Sequence, residues 1–404
     1  MRHNALKPFL YTALLFALSA VLITACTKKD IPPKNHTGTT STAQDSLNKV
    51  DSLPSFDSPT GIALDAAGNI YVADYGNNLI RKISTTGVVS TLAGTGTQGA
   101  INATGVLASF NRPTGIAMDA QGNLYVADAG NNLIRKITQA ALVTTLAGGD
   151  TTGTVNNGQG AAASFFDPLG LAIDGSGNIY VADAGNNLIR KITPDGTVST
   201  LAGNGNTVTD NGTLSATSFN NPTGVALDGA GNLYVANYLN NNILQVTSAG
   251  AVNAFAGTGD PGAVNGPANA ATFYFPNNVA VDASNNIYVS DGVNNLIRKI
   301  TPDGTVSTLA GSGAVGAIDS TGTAASFNGP AGLAVDAAGN VYVADANNNL
   351  IRKITPAGVV STIAGNGQPG SKNGQAVAYR NKKALKVSTR SRFNIWRRVV
   401  RSRN

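Results

Sequence analysis

Aspartate and arginine recur at fixed positions of a repeated segment, and their chemistry is the first question this sequence raises. One series is Asp65, Asp119, Asp174, Asp228, Asp282 and Asp336; a second is Asp74, Asp128, Asp183, Asp291 and Asp345, followed in the same repeats by Arg81, Arg135, Arg190, Arg298 and Arg352. Carboxylates arranged around a ring could bind a cation through their oxygens. A residue present in nearly every copy is, however, needed by the copy itself, and Asp commonly caps turns. We therefore predict a structural role for both series and no bound metal.

The fourth copy of the repeat departs from the others at two of these positions together. Asn237 stands where the other copies have the second aspartate, and Leu244 stands where they have arginine. Joint loss predicts that the Asp and the Arg of each repeat form a pair. The same copy has Tyr238 and Leu239 where copies two and three have Ala-Gly, and these two side chains either anchor a partner or pack locally.

Other catalytic groups are scarce in the repeats. The chain contains no glutamate, and its two histidines, His3 and His36, both precede the repeats. An imidazole base, a histidine metal ligand and a glutamic acid are therefore missing from that region. Glycine-rich strings such as 94–99 resemble a dinucleotide loop, but they recur in an all-β context without a following helix, so we predict no nucleotide or other cofactor.

Charge is distributed unevenly along the chain. The formal net charge is +6, but residues 379–404 carry ten Lys or Arg and no acid, which leaves 18 basic and 22 acidic residues in the remainder. The repeat region therefore lacks the basic surface that nucleic-acid binding requires, and we predict no nucleic-acid partner.

The N-terminus reads as an export signal. A basic start and an apolar stretch lead to Ile23-Thr24-Ala25-Cys26, a pattern typical of a bacterial lipobox with lipidation at Cys26, the only cysteine. Residues 27–50 are polar and rich in Ser, Thr and Pro, which is typical of a flexible stalk. We predict a lipoprotein signal at 1–26 and an exported protein held on the cell envelope, at the outer membrane in a Gram-negative cell.

The repeat itself predicts the fold. Its proline falls at intervals of 54 or 55 residues, at Pro59, Pro113, Pro168, Pro222, Pro276 and Pro330. Each copy contains four short runs rich in β-branched or aromatic residues, separated by turn residues, as in GIALD, NIYVAD, NLIRKI and VVSTLAG. Successive apolar residues in the first two runs indicate burial on both faces of a sheet. We predict an all-β fold, a six-bladed β-propeller of four-stranded antiparallel blades over 51–370, and a monomer.

The recurring pattern F-x-x-P-x-G-[IVL]-A-[VILM]-D-x-x-G-N-[IVL]-Y-V-A-D-x-x-N-N resembles the NHL repeat over residues 54–366. The resemblance implies a six-bladed propeller and a family of binding modules with a few enzymes. Many NHL repeats have arginine after the paired asparagines, whereas this chain has Leu79, Leu133, Leu188, Leu296 and Leu350.

Residues 371–404 form a basic tail in which the repeat pattern stops. One interpretation is a cationic amphipathic helix with Phe393, Trp396 and Val400 on one side. The other, which we favour because the pattern breaks within a repeat, is a shift of reading frame that makes the tail non-native or disordered.

These features favour a non-enzymatic binding or scaffolding propeller on the cell envelope. Its ligand, a protein, peptide or glycan, is expected on the face crossed by the variable connectors between blades. The alternative is a metal-assisted hydrolase or lyase, similar to lactonase propellers, acting at the mouth of the central channel.

Overall fold

A computed structural model describes residues 53–149, 157–207, 212–213 and 218–376. The predicted signal, Cys26 and the stalk lie outside the described residues, and so does the tail from 377 onward. Within the described part, no helix is long and apolar enough to cross a membrane.

The described chain forms a six-bladed β-propeller, as the repeat predicts. Each blade is a sheet of four consecutive antiparallel strands, and among the described residues the helical elements are single 3-10 turns. In blade one, Ile62 pairs with Val72, which pairs with Arg81, which pairs with Thr91. Short turns join the strands, and Gly68, with φ of +87°, supplies the left-handed position in the first of them.

The strands of the first three blades are β1 (Pro59–Leu64), β2 (Ile70–Asp74), β3 (Leu79–Ile83) and β4 (Val88–Ala93); β5 (Pro113–Met118), β6 (Leu124–Asp128), β7 (Leu133–Ile137) and β8 (Val143–Ala147); a short β9 (Gly158–Gln159); and β10 (Pro168–Ile173), β11 (Ile179–Asp183), β12 (Leu188–Ile192) and β13 (Thr197–Ala202).

The remaining strands are a short β14 (Gly212–Thr213); β15 (Pro222–Leu227), β16 (Leu233–Asn237), β17 (Asn242–Val246) and β18 (Ala251–Ala256); a short β19 (Gly266–Pro267); β20 (Pro276–Val281), β21 (Ile287–Asp291), β22 (Leu296–Ile300) and β23 (Thr305–Ala310); β24 (Pro330–Val335), β25 (Val341–Asp345), β26 (Leu350–Ile354) and β27 (Val360–Ala364); and a short β28 (Gly374–Gln375).

Single 3-10 turns follow the second strand in five blades and occur in three connectors. They are Tyr75–Asn77, Ala129–Asn131, Ala184–Asn186, Tyr238–Asn240 and Ala346–Asn348, and Gly105–Leu107, Gly160–Ala162 and Gly322–Ala324.

The first strand of every blade lies at the centre of the ring. Neighbouring first strands approach so closely that a methyl group at Gly61 would collide with the carbonyl of Thr114, and one at Gly332 would collide with the carbonyl of Thr60. The Thr60 hydroxyl donates to the Thr114 carbonyl at 3.2 Å, which links blades one and two. The first strands of the sixth and first blades make the same close approach at Gly332 and Thr60, so the inner ring of strands is continuous.

Apolar layers between the blades form the core. One layer joins Ile80 and Ala93 of blade one to Phe110, Ile116 and Val126 at blade two. Each blade has a phenylalanine with no exposed surface at the equivalent place: Phe56, Phe110, Phe165, Phe219, Phe273 and Phe327. Burial of both faces explains why the inner strands lack apolar–polar alternation.

The end of the propeller closes the ring on its beginning. Gly374 and Gln375 of β28 pair with Val89 and Val88 of β4, and the Gly370 amide donates to the Phe56 carbonyl at 3.1 Å. Connectors inside the chain make the same contact, for example Gly99 with Phe110. The described propeller thus extends to residue 376, past the boundary at 370 that we expected.

Candidate ligand site at the channel mouth

The first aspartate series caps the turns between the first and second strands. In blade one, Asp65 accepts hydrogen bonds from the Asn69 amide at 2.8 Å, the Asn69 side chain at 2.7 Å and the Tyr71 hydroxyl at 3.1 Å. Burial by itself would raise the pKa of Asp65, but these hydrogen bonds outweigh it and lower the pKa. The carboxylate is occupied by its own turn.

These turns surround one end of the channel, on a side of the wheel that we call the turn face. A cavity of about 440 Å³ there is lined by Asp174, Asp228 and Asp282 with apolar neighbours. Within the described part of the chain, no group of three or more His, Cys, Asp or Glu side chains is close enough together to hold a metal ion.

The second aspartate series lies inside the blades against the arginines. In blade two, Arg135 Nη1 donates to Asp128 at 2.6 Å and to the Ser109 carbonyl at 3.1 Å, and both charged side chains are fully buried. Arg135 Nη2 donates to the connector at the Ile101 carbonyl and the Asn102 side chain. The guanidinium also lies 5.2 Å from the centre of the Phe110 ring. Each arginine thus ties its blade to the connector that precedes it.

Burial makes these ion pairs expensive to form. It raises the pKa of Asp74 to about 6, although the Asp57 amide and the Arg81 guanidinium both favour the charged carboxylate. The same ion pair occurs in five blades, between 2.6 and 2.8 Å.

Blade four replaces the ion pair with a neutral network. Asn237 keeps the amide contact, accepting from Asn220 at 2.7 Å, and donates to Asn242 at 3.0 Å. Leu244 fills the arginine's place in the apolar layer beside Phe219. Asn242, which stands where the other blades have leucine, is a third coordinated change that sequence comparison overlooked.

The opposite side of the wheel carries the turns after the second strands and the connectors that cross them, and we call it the connector face. The connector from blade one passes both neighbouring turns, since Gly96 accepts from Asn78 and Gly99 accepts from Asn131. Exposed apolar side chains on this face are Leu239, Val293 and Val315, which expose 46%, 46% and 67% of their surface.

Six residues, one from the same position of each blade, surround the channel mouth on the connector face. Each one immediately precedes the proline that begins the innermost strand of its blade; they are Ser58, Arg112, Asp167, Asn221, Phe275 and Gly329. All six residues have positive φ, between 50° and 57°. We call these residues the mouth ring. Glycine, and to a lesser degree asparagine, adopts this left-handed conformation cheaply, whereas other residues pay roughly 1–2 kcal/mol.

Blades one to three give the mouth ring a charged side. Arg112 is exposed and Asp167 is half-buried, and the two form no direct ion pair within the described chain. Burial raises the pKa of Asp167, and the charge of Arg112 opposes the rise. Both charges act on Tyr75 as well, whose pKa is raised by burial. The three groups therefore share one electrostatic environment.

Blades four and five give the mouth ring an aromatic side. Phe275 stacks on Tyr238 with ring centres 4.7 Å apart and planes 20° apart, and it lies 4.7 Å from Tyr274. Two exposed apolar residues lie beside this cluster. Leu239 follows Tyr238 in the chain, and the Val293 amide donates a hydrogen bond to the Tyr274 carbonyl. Of the sequence-predicted residues, Tyr238 therefore packs within an aromatic cluster, and Leu239 remains exposed beside it.

Sequence reasoning missed the mouth ring because it concentrated on positions that the repeats share. The available signal was the reverse: one position that differs in all six copies, next to an invariant proline. The backbone there is the same in every blade, so the side chain is free to vary, and variation at the mouth of a channel is typical of a binding site.

Comparison with known proteins agrees with the repeat pattern. The NHL repeat model matches residues 56–83, 110–137, 165–192 and 327–354. Four of the six blades therefore match the NHL repeat. Blades four and five, which hold Asn237 and the aromatic cluster, are not among the matched segments.

The chain is also similar in sequence to curated relatives and in fold to solved structures. The chain is 34% identical over 61% of its length to SUPPRESSOR OF QUENCHING 1 of Arabidopsis thaliana, and covers 25% of that protein. It spans less than half the length of the curated relatives it matches. An auxiliary nutrient binding protein from Bacteroides ovatus has 18% identity and a TM-score of 0.55, with 74% of this chain and 69% of that chain covered. A gluconolactonase from Xanthomonas campestris has 14% identity and a TM-score of 0.50, with 72% and 84% covered. Both likenesses concern the fold.

The backbone of the propeller allows a matched pair of substitutions. Ala141 has φ of +60° in a turn where the other blades have glycine, and Arg112 has φ of +52° in the mouth ring. We expect Ala141→Gly and Arg112→Gly each to stabilise the protein by roughly 0.5–1 kcal/mol, because both relieve a left-handed side chain. Chemical denaturation followed by circular dichroism measures the change. A clear loss of stability in Arg112→Gly would show that the arginine supports the fold instead.

Proposed function

We propose that this NHL propeller is a binding module that holds its ligand on the connector face, at and around the channel mouth. The observation that carries the proposal is the mouth ring, in which Arg112, Asp167 and Phe275 occupy a backbone conformation that Gly329 adopts without strain. Residues kept in costly conformations are common where a side chain serves a ligand. The Asp167 carboxylate supports this view, since it accepts no hydrogen bond within the described residues.

The composition of the repeats supports binding over catalysis. They contain neither glutamate nor histidine, and the repeated aspartates are engaged by turn amides or buried arginines. The exposed apolar residues Leu239, Val293 and Val315 add contact surface around the mouth.

The experiment is capture of envelope components by the immobilised full chain. Leu239→Asp and Val315→Asp are expected to reduce capture at least tenfold, because each puts a charge into the apolar surround of the mouth. Val359→Asp is the matched control: Val359 is similarly exposed, at 44%, and lies beside a turn of the turn face. Equal losses in all three variants would place the binding surface elsewhere.

We further propose that Cys26 anchors the protein to the cell envelope through lipid. The support is the lipobox-like sequence Ile23-Thr24-Ala25-Cys26, with an apolar segment before it. Metabolic acyl labelling is expected to mark the wild-type protein, and Cys26→Ala is expected to abolish both the label and membrane fractionation. Unlabelled protein that fractionates like the variant would contradict the anchor.

A further inference from the structure

We propose that the channel mouth binds a saccharide, with Arg112 and Asp167 bonding ring hydroxyls and the Tyr238–Phe275 pair contacting the apolar face of a sugar ring. This inference rests on the proposed binding function and names the chemical class of its ligand.

The charges at the mouth do not favour a simple ion as the ligand. Arg112 and Asp167 are neighbours in the mouth ring and carry opposite charges, so neither a free cation nor a free anion is attracted by both groups. The two groups do not satisfy each other directly, since they form no ion pair. Both remain available to a ligand that approaches from solvent.

Hydroxyl groups fit this pair of partners. A guanidinium only donates hydrogen bonds and a carboxylate only accepts them, whereas a hydroxyl does both. Two adjacent hydroxyls can therefore accept from Arg112 and donate to Asp167. Asn221, the next residue of the mouth ring, adds an amide that donates and accepts, and Tyr75 adds a phenol beside the two charges.

The aromatic side supplies the apolar contact that a sugar also needs. Blades two and five are opposite each other in a ring of six, so Phe275 faces Arg112 across the mouth. A cyclic polyol presents hydroxyls at its edge and C–H groups on its faces. It can thus meet polar groups on one side of the mouth and an aromatic surface on the other.

Backbone strain gives a separate reason to assign a role to Phe275. A bulky aromatic residue at φ of +53° is a conformational outlier, and Asn221 shows that asparagine serves the same backbone in the neighbouring blade. The backbone therefore does not require phenylalanine at this position, which leaves the aromatic ring itself as the feature to explain.

The test is binding of the detergent-purified full chain to an array of neutral oligosaccharides of defined structure, with a peptide array in parallel. We expect the wild type to bind at least one oligosaccharide. Asp167→Asn, Arg112→Asn and Phe275→Asn should each weaken that binding tenfold or more, since asparagine keeps the left-handed backbone while removing the ligand contact. Ala141→Gly, away from the mouth ring, is the matched control and should bind as the wild type does.

Three results would overturn the saccharide assignment: binding to peptides alone, no binding to any oligosaccharide, or oligosaccharide binding that survives all three mouth variants. If the capture experiment with Leu239→Asp and Val315→Asp still locates ligand binding on the connector face, the binding module stands and only its ligand class is wrong. If capture is indifferent to those variants as well, the proposed binding on the connector face fails.

Discussion

Replacing Arg135 with leucine should cost about 3–5 kcal/mol of folding free energy, one of the largest effects expected of any single substitution in this protein. The change leaves the Asp128 carboxylate buried without its cation, and it deprives Ser109 and Asn102 of their donors. Asp128→Asn alone should also be costly, because it leaves the buried guanidinium without its counter-charge. Equilibrium unfolding in denaturant, followed by circular dichroism, measures both.

The double variant Asp128→Asn/Arg135→Leu should be much more stable than the sum of the two losses predicts. Blade four already contains this combination, with Asn237 and Leu244 fully buried, and it folds with the same four-strand register. Blade four also has Asn242 as partner for Asn237, so adding Leu133→Asn should recover further stability. Strictly additive losses of the two single variants would mean that Asp128 and Arg135 act independently, despite their 2.6 Å contact.

The fold was predictable from the sequence because every blade repeats the same local instructions. A proline at intervals of 54 or 55 residues, four β-rich runs and turns containing Asp, Gly or Asn leave few all-β alternatives. The joint change at Asn237 and Leu244 also carried spatial information, since the structure brings the corresponding Asp and Arg of the other blades into contact. Such a comparison needs no other protein, because the chain provides six copies of one environment.

The common backbone geometry of the mouth ring was not predictable, and the reason is conformational. Arginine, aspartate and phenylalanine do not signal a left-handed backbone, so the sequence around Arg112, Asp167 and Phe275 gave no sign of a common geometry. Their proximity also depends on the curvature of the ring, which brings together residues more than fifty positions apart. Only the closed wheel places them around one opening.

Ring closure also changes how the C-terminal break in the repeat is understood. We favoured a shift of reading frame because the pattern stops within a repeat, but residues up to 376 complete blade one. Continuing the pattern would require the place beside β28 that Ser55 and Phe56 already occupy. The break therefore coincides with the point at which six blades are complete, and the frame shift stays a prediction about residues outside the described chain.

Closure leads to the second prediction of large effect, a comparison of two truncated chains. A chain that ends after Pro369 loses β28 and the two acceptors of Arg81 Nη2, the Lys372 carbonyl at 2.9 Å and the Asn373 side chain at 2.8 Å. Hydrogen bonds to a charged group contribute roughly 1.5–3 kcal/mol each, so we expect a loss of about 3–6 kcal/mol from these two contacts. A chain that ends after Ala376 keeps every described contact of the closing segment and is the matched control.

The same contacts predict how the truncation combines with a substitution in blade one. Arg81→Leu should be strongly destabilising in the chain that ends after Ala376, where it breaks the links to Asp74 and to the closing segment together. In the chain that ends after Pro369, two of the four hydrogen bonds of Arg81 are already gone, so the added loss should be clearly smaller. Equal losses in the two chains, measured by denaturant unfolding, would show that β28 holds the ring closed without the help of Arg81. A smaller loss would show that the buried arginine, which elsewhere ties each blade to its preceding connector, also joins the last connector to the first blade.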